Sequence, residues 1–299
     1  MDVRNVVILG GSGFVGRHLA PRLREDGHRV TVLSRGPAAA KRDTLRADII
    51  VREGDVHDPA FLRTAFSGAD VVVNLAGILN ESGDDGSGFE QVFVELAEHV
   101  IAAMQAVGVR RLLQMSALNA GHGESHYLQA RGRAEQRTRD SALDWTLFRP
   151  SVIAGPGDGL FCRFDALLRY APVLPIGRAD ARFQPVWVGD VAEAFARAIG
   201  SHATIGQCYE LVGPEVYTLA EIVRMTARAR GRHRLVLPLP RALGQLQAEI
   251  GERLPGKPIS RDNWRSLQLD SVSADNGLPK LGIVPTPIAP QLPRILGIA

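Results

Sequence analysis

One heptapeptide constrains this chain more than anything else in it: Gly10-Gly11-Ser12-Gly13-Phe14-Val15-Gly16. It follows an apolar run, residues 3–9 (VRNVVIL), and opens a stretch with Leu19 and Leu23 at helical spacing that Gly27 ends. An apolar run with no polar alternation suits a strand buried on both faces. A glycine-rich turn between such a strand and a helix is a dinucleotide-binding fingerprint. Gly10 allows the tight turn, Gly13 lets backbone approach a pyrophosphate, and Gly16 lets helix and strand pack closely. The helix start then offers free N–H groups and a positive dipole end to the phosphates.

The rest of the first half repeats the alternation. Apolar runs recur at 29–34, 49–51, 70–73, 110–115 and 144–149, with helical patterns near 59–66, 89–107 and 127–141. This order predicts an α/β fold, a doubly wound parallel Rossmann sheet. After Pro150 the texture changes, with prolines and glycines crowding at 150–159, 172–177, 238–240, 255–258 and 279–293. We therefore expect a dinucleotide-binding domain over 1–150 and a smaller C-terminal α/β lobe over 151–299. Parts of that lobe, about 183–200, should return to the first domain. Its expected elements are helices near 160–170, 190–199 and 218–230 and strands near 183–188 and 207–212. The stretch 241–254 places Leu243, Leu246, Ile250 and Leu254 on one helical stripe. Such a stripe is expected to pack on the core; a membrane or partner surface is the alternative.

Further positions fall where this fold wraps a cofactor. The second strand ends in Ser34-Arg35, not in the acidic residue that would accept from a ribose 2′-OH. A guanidinium can pair with a 2′-phosphate, so NADP(H) is favoured over NAD(H); the plain alternative is a solvent-facing arginine. Asp55, before Val56, could accept from the adenine amino group. Asn74-Leu75-Ala76-Gly77 puts small residues beside a ribose, and Pro150-Ser151-Val152-Ile153 could hold the nicotinamide carboxamide. Each of these also reads as an ordinary turn, cap or crossing.

Composition narrows the classes. The net charge of +3 and pI near 9.1 are a mild basic bias, with one dense stretch at 224–234, and no nucleic-acid partner is expected. Cys162 and Cys208 are too few for a disulfide framework and read as free thiols. The start MDVRNVVILGG shows no basic leader or cleavage site, so no secretory signal and a cytoplasmic location are expected. No apolar stretch is long enough to span a membrane. His122 and His126 have no third ligand in sight, so no metal is expected, and Gly-x-Ser-x-Gly does not occur.

With Gly10, Gly13 and Gly16 in Gly-x-x-Gly-x-x-Gly spacing, the chain resembles the extended and atypical short-chain dehydrogenase/reductases. The resemblance continues through Asp55-Val56, Asn74 to Gly77, Tyr127, Gln184-Pro185-Val186, Asp190-Val191-Ala192 and 209–214 (YELVGP). SALNA (116–120), LDWTLFRPSVIAGPGD (143–158) and LPGKPISRDN (254–263) are most similar to the group containing the Rossmann-type accessory subunit of respiratory complex I and its bacterial relatives. That resemblance implies NADP(H) binding. By analogy it implies a lipidic or quinone-like substrate and a membrane or protein partner, peripheral to the inner membrane.

The family's catalytic logic is a tyrosine with a lysine four positions on, plus a hydroxyl that polarises the substrate carbonyl. Tyr127 fits, but its partner is Arg131, which supplies charge and cannot join a proton relay. The usual hydroxyl position corresponds to Leu118, leaving Ser116 as the substitute candidate; Tyr127 also reads as a helix cap. Three functions compete: an NADP(H)-dependent oxidoreductase, a cofactor-binding structural or assembly protein without chemistry, and a nucleotide-sensing regulator. Tyr127 favours the first; Arg131 and Leu118 favour the second.

Overall fold

A computed structural model describes residues 2–36, 48–254 and 257–298. Pro255 and Gly256, within the resemblance at 254–263, lie outside the described residues. The strands are β1 (Asn5–Leu9), β2 (Arg29–Ser34), β3 (Ile50–Glu53), β4 (Val71–Asn74), β5 (Arg111–Met115), β6 (Asp144–Pro150), β7 (Ile153–Ala154), β8 (Val173–Gly177), β9 (Arg182–Phe183), β10 (Val186–Trp187), β11 (Gln207–Leu211), β12 (Tyr217–Thr218) and β13 (Leu235–Leu239). The helices that matter below are α1 (Gly16–Glu25), α2 (Pro59–Phe66), α3 (Ser87–Phe89), α4 (Leu96–Ala106), α5 (His126–Asp140), α6 (Phe161–Leu168), α7 (Val188–Ile199), α8 (Leu219–Ala229), α9 (Arg241–Arg253) and α10 (Arg261–Ser266).

Seven strands form one sheet in the order β11-β6-β5-β4-β1-β2-β3, every neighbouring pair parallel. This is the doubly wound sheet the alternation predicts. Chain order reverses direction beside β1, which pairs with β2 on one side and β4 on the other. Such a switch point opens a crevice at the strands' carboxyl ends. The lack of polar alternation in β1 has its reason here. Val6 and Ile8 enter one core cluster with Leu19, Leu23 and Phe195, while Val7 and Leu9 enter another with Leu62, Phe66 and Val100. Helix α7 packs along α1, and β11 is the edge strand beside β6.

Several elements differ from the sequence expectation. The single strand expected near 183–188 is two strands in different small sheets, β9 with β12 and β10 with β7, separated by Gln184-Pro185. Proline has no N–H to offer a ladder, so the run breaks there. Strands β8 and β13 pair in parallel although both contain proline, and the proline-rich texture hid them. Between α3 and α4 the backbone makes a π-helical turn, Glu90–Glu95, inside the predicted helix.

The largest departure is α9. Its apolar stripe does not pack on the core: Leu243, Leu246, Ile250 and Leu254 are each about half exposed, at 48–53%. The buried face is Gly244, Ala248 and Gly251. A Cβ on Gly244 would lie 2.6 Å from the Trp264 ring and 2.9 Å from Gly177 Cα, and one on Gly251 would lie 2.6 Å from Ile259 Cγ2. The helix sits down on its smallest residues because they permit close approach, and this turns the leucines outward.

Candidate functional site

The crevice begins at the glycine turn. Gly10 sits at φ +70°, a conformation that side-chain-bearing residues seldom adopt. A Cβ on Gly16 would fall 2.3 Å from the Gly11 backbone, so that position is closed to any side chain. Gly13 differs: it is exposed, and its Cβ would meet only Gly10 O, at 3.0 Å. Its restriction comes from the open side, where a phosphate would lie. The start of α1 carries no side-chain cap and no acidic residue in its first turn. Its free amides suit an anion. Ser12 is half-buried beside the turn, Phe14 and Val15 pack inward on core residues, and Gly11 lies against Val32.

Just past β2 and β3 the structure brings Arg35 and Asp55 together. Both line a cavity of about 390 Å³ with Gly54, His57, Gln91 and Val92. Asp55 turns the loop by accepting from His57 N–H at 2.9 Å, and Val56 is buried beneath it. Ser34 is buried, and its hydroxyl has no hydrogen-bond partner among the described residues. The glycine cradle and the uncapped helix fit a nicotinamide dinucleotide.

On the β4 side, Asn74 is buried and shapes the turn. Its Oδ1 accepts from Ala76 N–H at 3.1 Å, its Nδ2 donates to Gln114 at 3.0 Å, and Leu75 N–H donates to Leu9 O at 3.0 Å. Gly77 is small because Arg131 Nη2 lies 2.9 Å from where its Cβ would stand. The run 150–153 is firmly anchored: Leu118 N–H donates to Pro150 O at 2.9 Å and Ser151 N–H to Leu211 O at 3.0 Å. Ser151 Oγ donates to Ser271 O at 2.7 Å, Val152 O accepts from Val186 N–H at 3.0 Å, and Ile153 pairs with Val186.

The reaction end is built on α5. Tyr127 and Arg131 share one face of it, as i,i+4 residues should. Tyr127 stands edge-on to Phe89 and Phe93, with ring centroids 5.8 and 5.5 Å away. Arg131 is buried, its Cζ 3.9 Å above the Phe93 ring, and Nη1 donates to Met115 O at 2.9 Å. Its Nε is buried with no partner among the described residues. Gly77, Phe93, Tyr127 and Arg131 are thus one cluster. Ser116 is not part of it. It is buried, and its hydroxyl donates to Glu135 at 2.6 Å, where Arg149 also binds through bonds of 2.8 and 2.6 Å. The side chain at 118 is a buried leucine.

Two contributors escape sequence reasoning. The π turn carries Gln91 and Val92 into the cavity of Arg35 and Asp55 and Phe93 under Arg131, joining these two regions. Extra-wide turns of this kind gather at functional sites, and no local signal marks this one. The second is Asp262, from α10. It accepts from His126 N–H at 2.6 Å, Tyr127 N–H at 3.2 Å and the Ser125 hydroxyl at 2.8 Å, capping α5 from 135 residues away in the chain.

A family model described as NAD(P)H-binding matches residues 10–160, which include the glycine turn and most of this site. The chain belongs to the NAD(P)H-binding, extended short-chain dehydrogenase/reductase family. Members of that family at similar distance have different roles. The chain is 30% identical over 288 residues to the mitochondrial NADH dehydrogenase [ubiquinone] 1 alpha subcomplex subunit 9 of Arabidopsis thaliana, covering 91% of this chain and 71% of that protein. It is 31% identical over 246 residues to a ceramide reductase of Caulobacter vibrioides, covering 80% and 75%. Among solved structures, the NADPH-dependent quinone oxidoreductase of Escherichia coli in complex with NADPH superposes with a TM-score of 0.77 at 22% identity, over 96% of this chain and 98% of that one. This last likeness is one of fold.

Proposed function

We propose that this family member binds NADP(H) in preference to NAD(H), and that its reaction end is a departed catalytic site which holds the cofactor more than it turns it over. Arg35, across from Asp55 in the adenosine cavity, supports the preference for a 2′-phosphate. The observation that carries the second part is the Ser116–Glu135 bond: the candidate hydroxyl is committed to a buried carboxylate, and position 118 offers only a leucine. A carbonyl at this end would lack its side-chain donor.

The residues divide the work as follows. The N-terminus of α1 and Gly13 take the pyrophosphate, Gly77 and the 150–153 run border the ribose and nicotinamide, and Arg131 lays a fixed positive charge beside them. When bound, the nicotinamide supplies hydride chemistry. Tyr127 is the group that would give or take the proton, with Arg131 unable to relay it onward. Relatives named for ubiquinone and for ceramide direct the substrate class toward lipidic or quinone-like carbonyls, met at a membrane face or in an assembly.

Stopped-flow oxidation of bound NADPH against quinones, aldehydes and ketones tests this, with Tyr127→Phe as control. The expected turnover is well below about 1 s⁻¹, the lower edge of the usual enzyme range. Faster turnover that Tyr127→Phe abolishes would establish a working Tyr–Arg enzyme and overturn the proposal.

A further inference from the structure

We infer that Arg17 is the fixed counter-charge for the cofactor's pyrophosphate, a contact beyond the glycine turn and the amides of α1. Position comes first. Arg17 is the second residue of α1 and lies one helical turn after Gly13, to whose carbonyl its N–H donates at 3.0 Å. Residues four apart share a helix face. A helical side chain also leans back over the turn before it, which carries this guanidinium toward Gly13 and its open side. The segment 155–158, between β7 and α6, borders its far end. Nη2 stands 3.1 Å from where a Cβ on Gly157 would lie, and Gly157 is at φ +86°. A glycine there lets the backbone turn close beside the arginine.

Charge comes second. A cation in the first turn of a helix meets the positive end of the dipole and is unfavourable there. Among the described residues nothing offsets it: Arg17 Nε is buried with no hydrogen-bond partner, and no carboxylate pairs with the side chain. The other arginines of α1 are neutralised, Arg22 by Asp26 and by Glu193 at 2.8 Å, and Arg24 by Asp48 at 3.0 Å. Asp158, the acidic residue of the 155–158 segment, is buried and spent on its own loop. It accepts from the N–H groups of Gly155 at 3.1 Å, Leu160 at 2.9 Å and Cys162 at 3.2 Å. Next along α1, burial holds His18 below its ordinary pKa, and the Arg17 and Arg294 charges push the same way.

An unpaired guanidinium beside a helix start is arranged for an anionic, oxygen-rich group, which its planar fork can bind through two N–H groups at once. The pyrophosphate is such a group and is common to NADPH and NADH. The 2′-phosphate belongs to NADPH alone and falls to Arg35 in the reading above. Arg17 therefore serves affinity for either cofactor, and Arg35 serves the choice between them. This rests on the pyrophosphate lying at α1, as proposed above, and the experiment separates the failure of one from the failure of the other.

The experiment is calorimetric titration of the full chain with NADPH and with NADH, in the wild type and in Arg17→Gln, which keeps most of the stem and removes the charge. Both affinities should fall about 10-fold or more, as for a lost charged hydrogen bond. Arg17→Lys restores the charge and should recover part of the loss for both cofactors. The cofactor-free melting temperature of Arg17→Gln should not fall, because the variant takes a cation away from the positive end of a helix. A change below about twofold in Arg17→Gln, less than one hydrogen bond is worth, overturns the inference. If Gly13→Val still abolishes binding, only the role of Arg17 is lost; if Gly13→Val also binds normally, the placement of the pyrophosphate falls with it. A loss confined to NADPH overturns the inference by giving Arg17 the 2′-phosphate. So does a lowered melting temperature without cofactor, which would make the arginine a structural one.

Discussion

The N-termini of α1 and α5 are finished in opposite ways. Helix α1 starts with no side-chain cap and no carboxylate in its first turn. Helix α5 is sealed twice, by the adjacent Ser125 and by Asp262 of α10, far along the chain. Both begin with unsatisfied N–H groups. At α1 no side chain takes them, and Arg17 and His18 donate only to the turn's carbonyls Gly13 O and Val15 O. At α5 the protein consumes them, which fixes the helix that carries Tyr127 and Arg131. A binding end keeps its dipole free, whereas an end that must hold side chains in place spends it on rigidity. The tie also fixes the helix that carries Tyr127 and Arg131 from α10, without contributing a reacting group.

Asp262→Ala should have the largest effect. It strands three donors, two of them backbone amides at a partly buried helix start, and each unsatisfied group costs up to about 1–3 kcal/mol. Urea melts should show a loss of about 3 kcal/mol or more, while NADPH still stabilises the variant. A loss below about 1 kcal/mol would mean that α5 does not depend on this cap, and the contrast between the helices would collapse.

Gly13→Val probes the opposite end. Its Cβ would press on Gly10 O at 3.0 Å and meet nothing else within 4 Å, so the fold should survive with a small shift of that turn. NADPH at about 100 times its dissociation constant should stabilise the wild type by about 2.7 kcal/mol and the variant hardly at all. Equal thermal shifts in both proteins would deny the glycine its phosphate-facing role. Next in size, Arg35→Ala should weaken NADPH by about 1–3 kcal/mol, as for a charged hydrogen bond, and leave NADH nearly unchanged. Calorimetry showing equal losses for both would sink the 2′-phosphate assignment.

The smallest effect concerns pH. Burial pushes His18, on α1, and His28, at the start of β2, below the ordinary value of 6.5. A lowered imidazole means that the unfolded chain binds more protons, so stability is full above about pH 6.5 and falls as pH drops through that value. Melts between about pH 7.5 and 5.5 should show this slope, and His18→Asn/His28→Asn should flatten it. A slope that persists in the double variant would locate the dependence elsewhere, away from the α1 side.

Much of this was legible because the signals are local. The glycine turn, the apolar runs and the i,i+4 spacing of Tyr127 and Arg131 each depend on a few neighbouring residues, and the sheet follows from their order. Asp262 was not legible, because nothing near residue 262 announces a helix start at residue 126. The α9 stripe misled for a related reason: periodicity shows that a helix has an apolar face, but which face is buried depends on what lies opposite. Here Gly177, Trp264 and Ile259 demanded small residues.

The amino-acid sequence by itself determined the parallel α/β sheet and its glycine turn, because strand burial and positive-φ geometry are written in adjacent residues. Only the tertiary structure decided that Ser116 serves Glu135, that a π turn joins the Arg35–Asp55 cavity to the Arg131 cluster, and that α9 turns its leucines to solvent. Each of these depends on partners far apart in the chain, and a contact of that kind exists only once packing has chosen which neighbours meet.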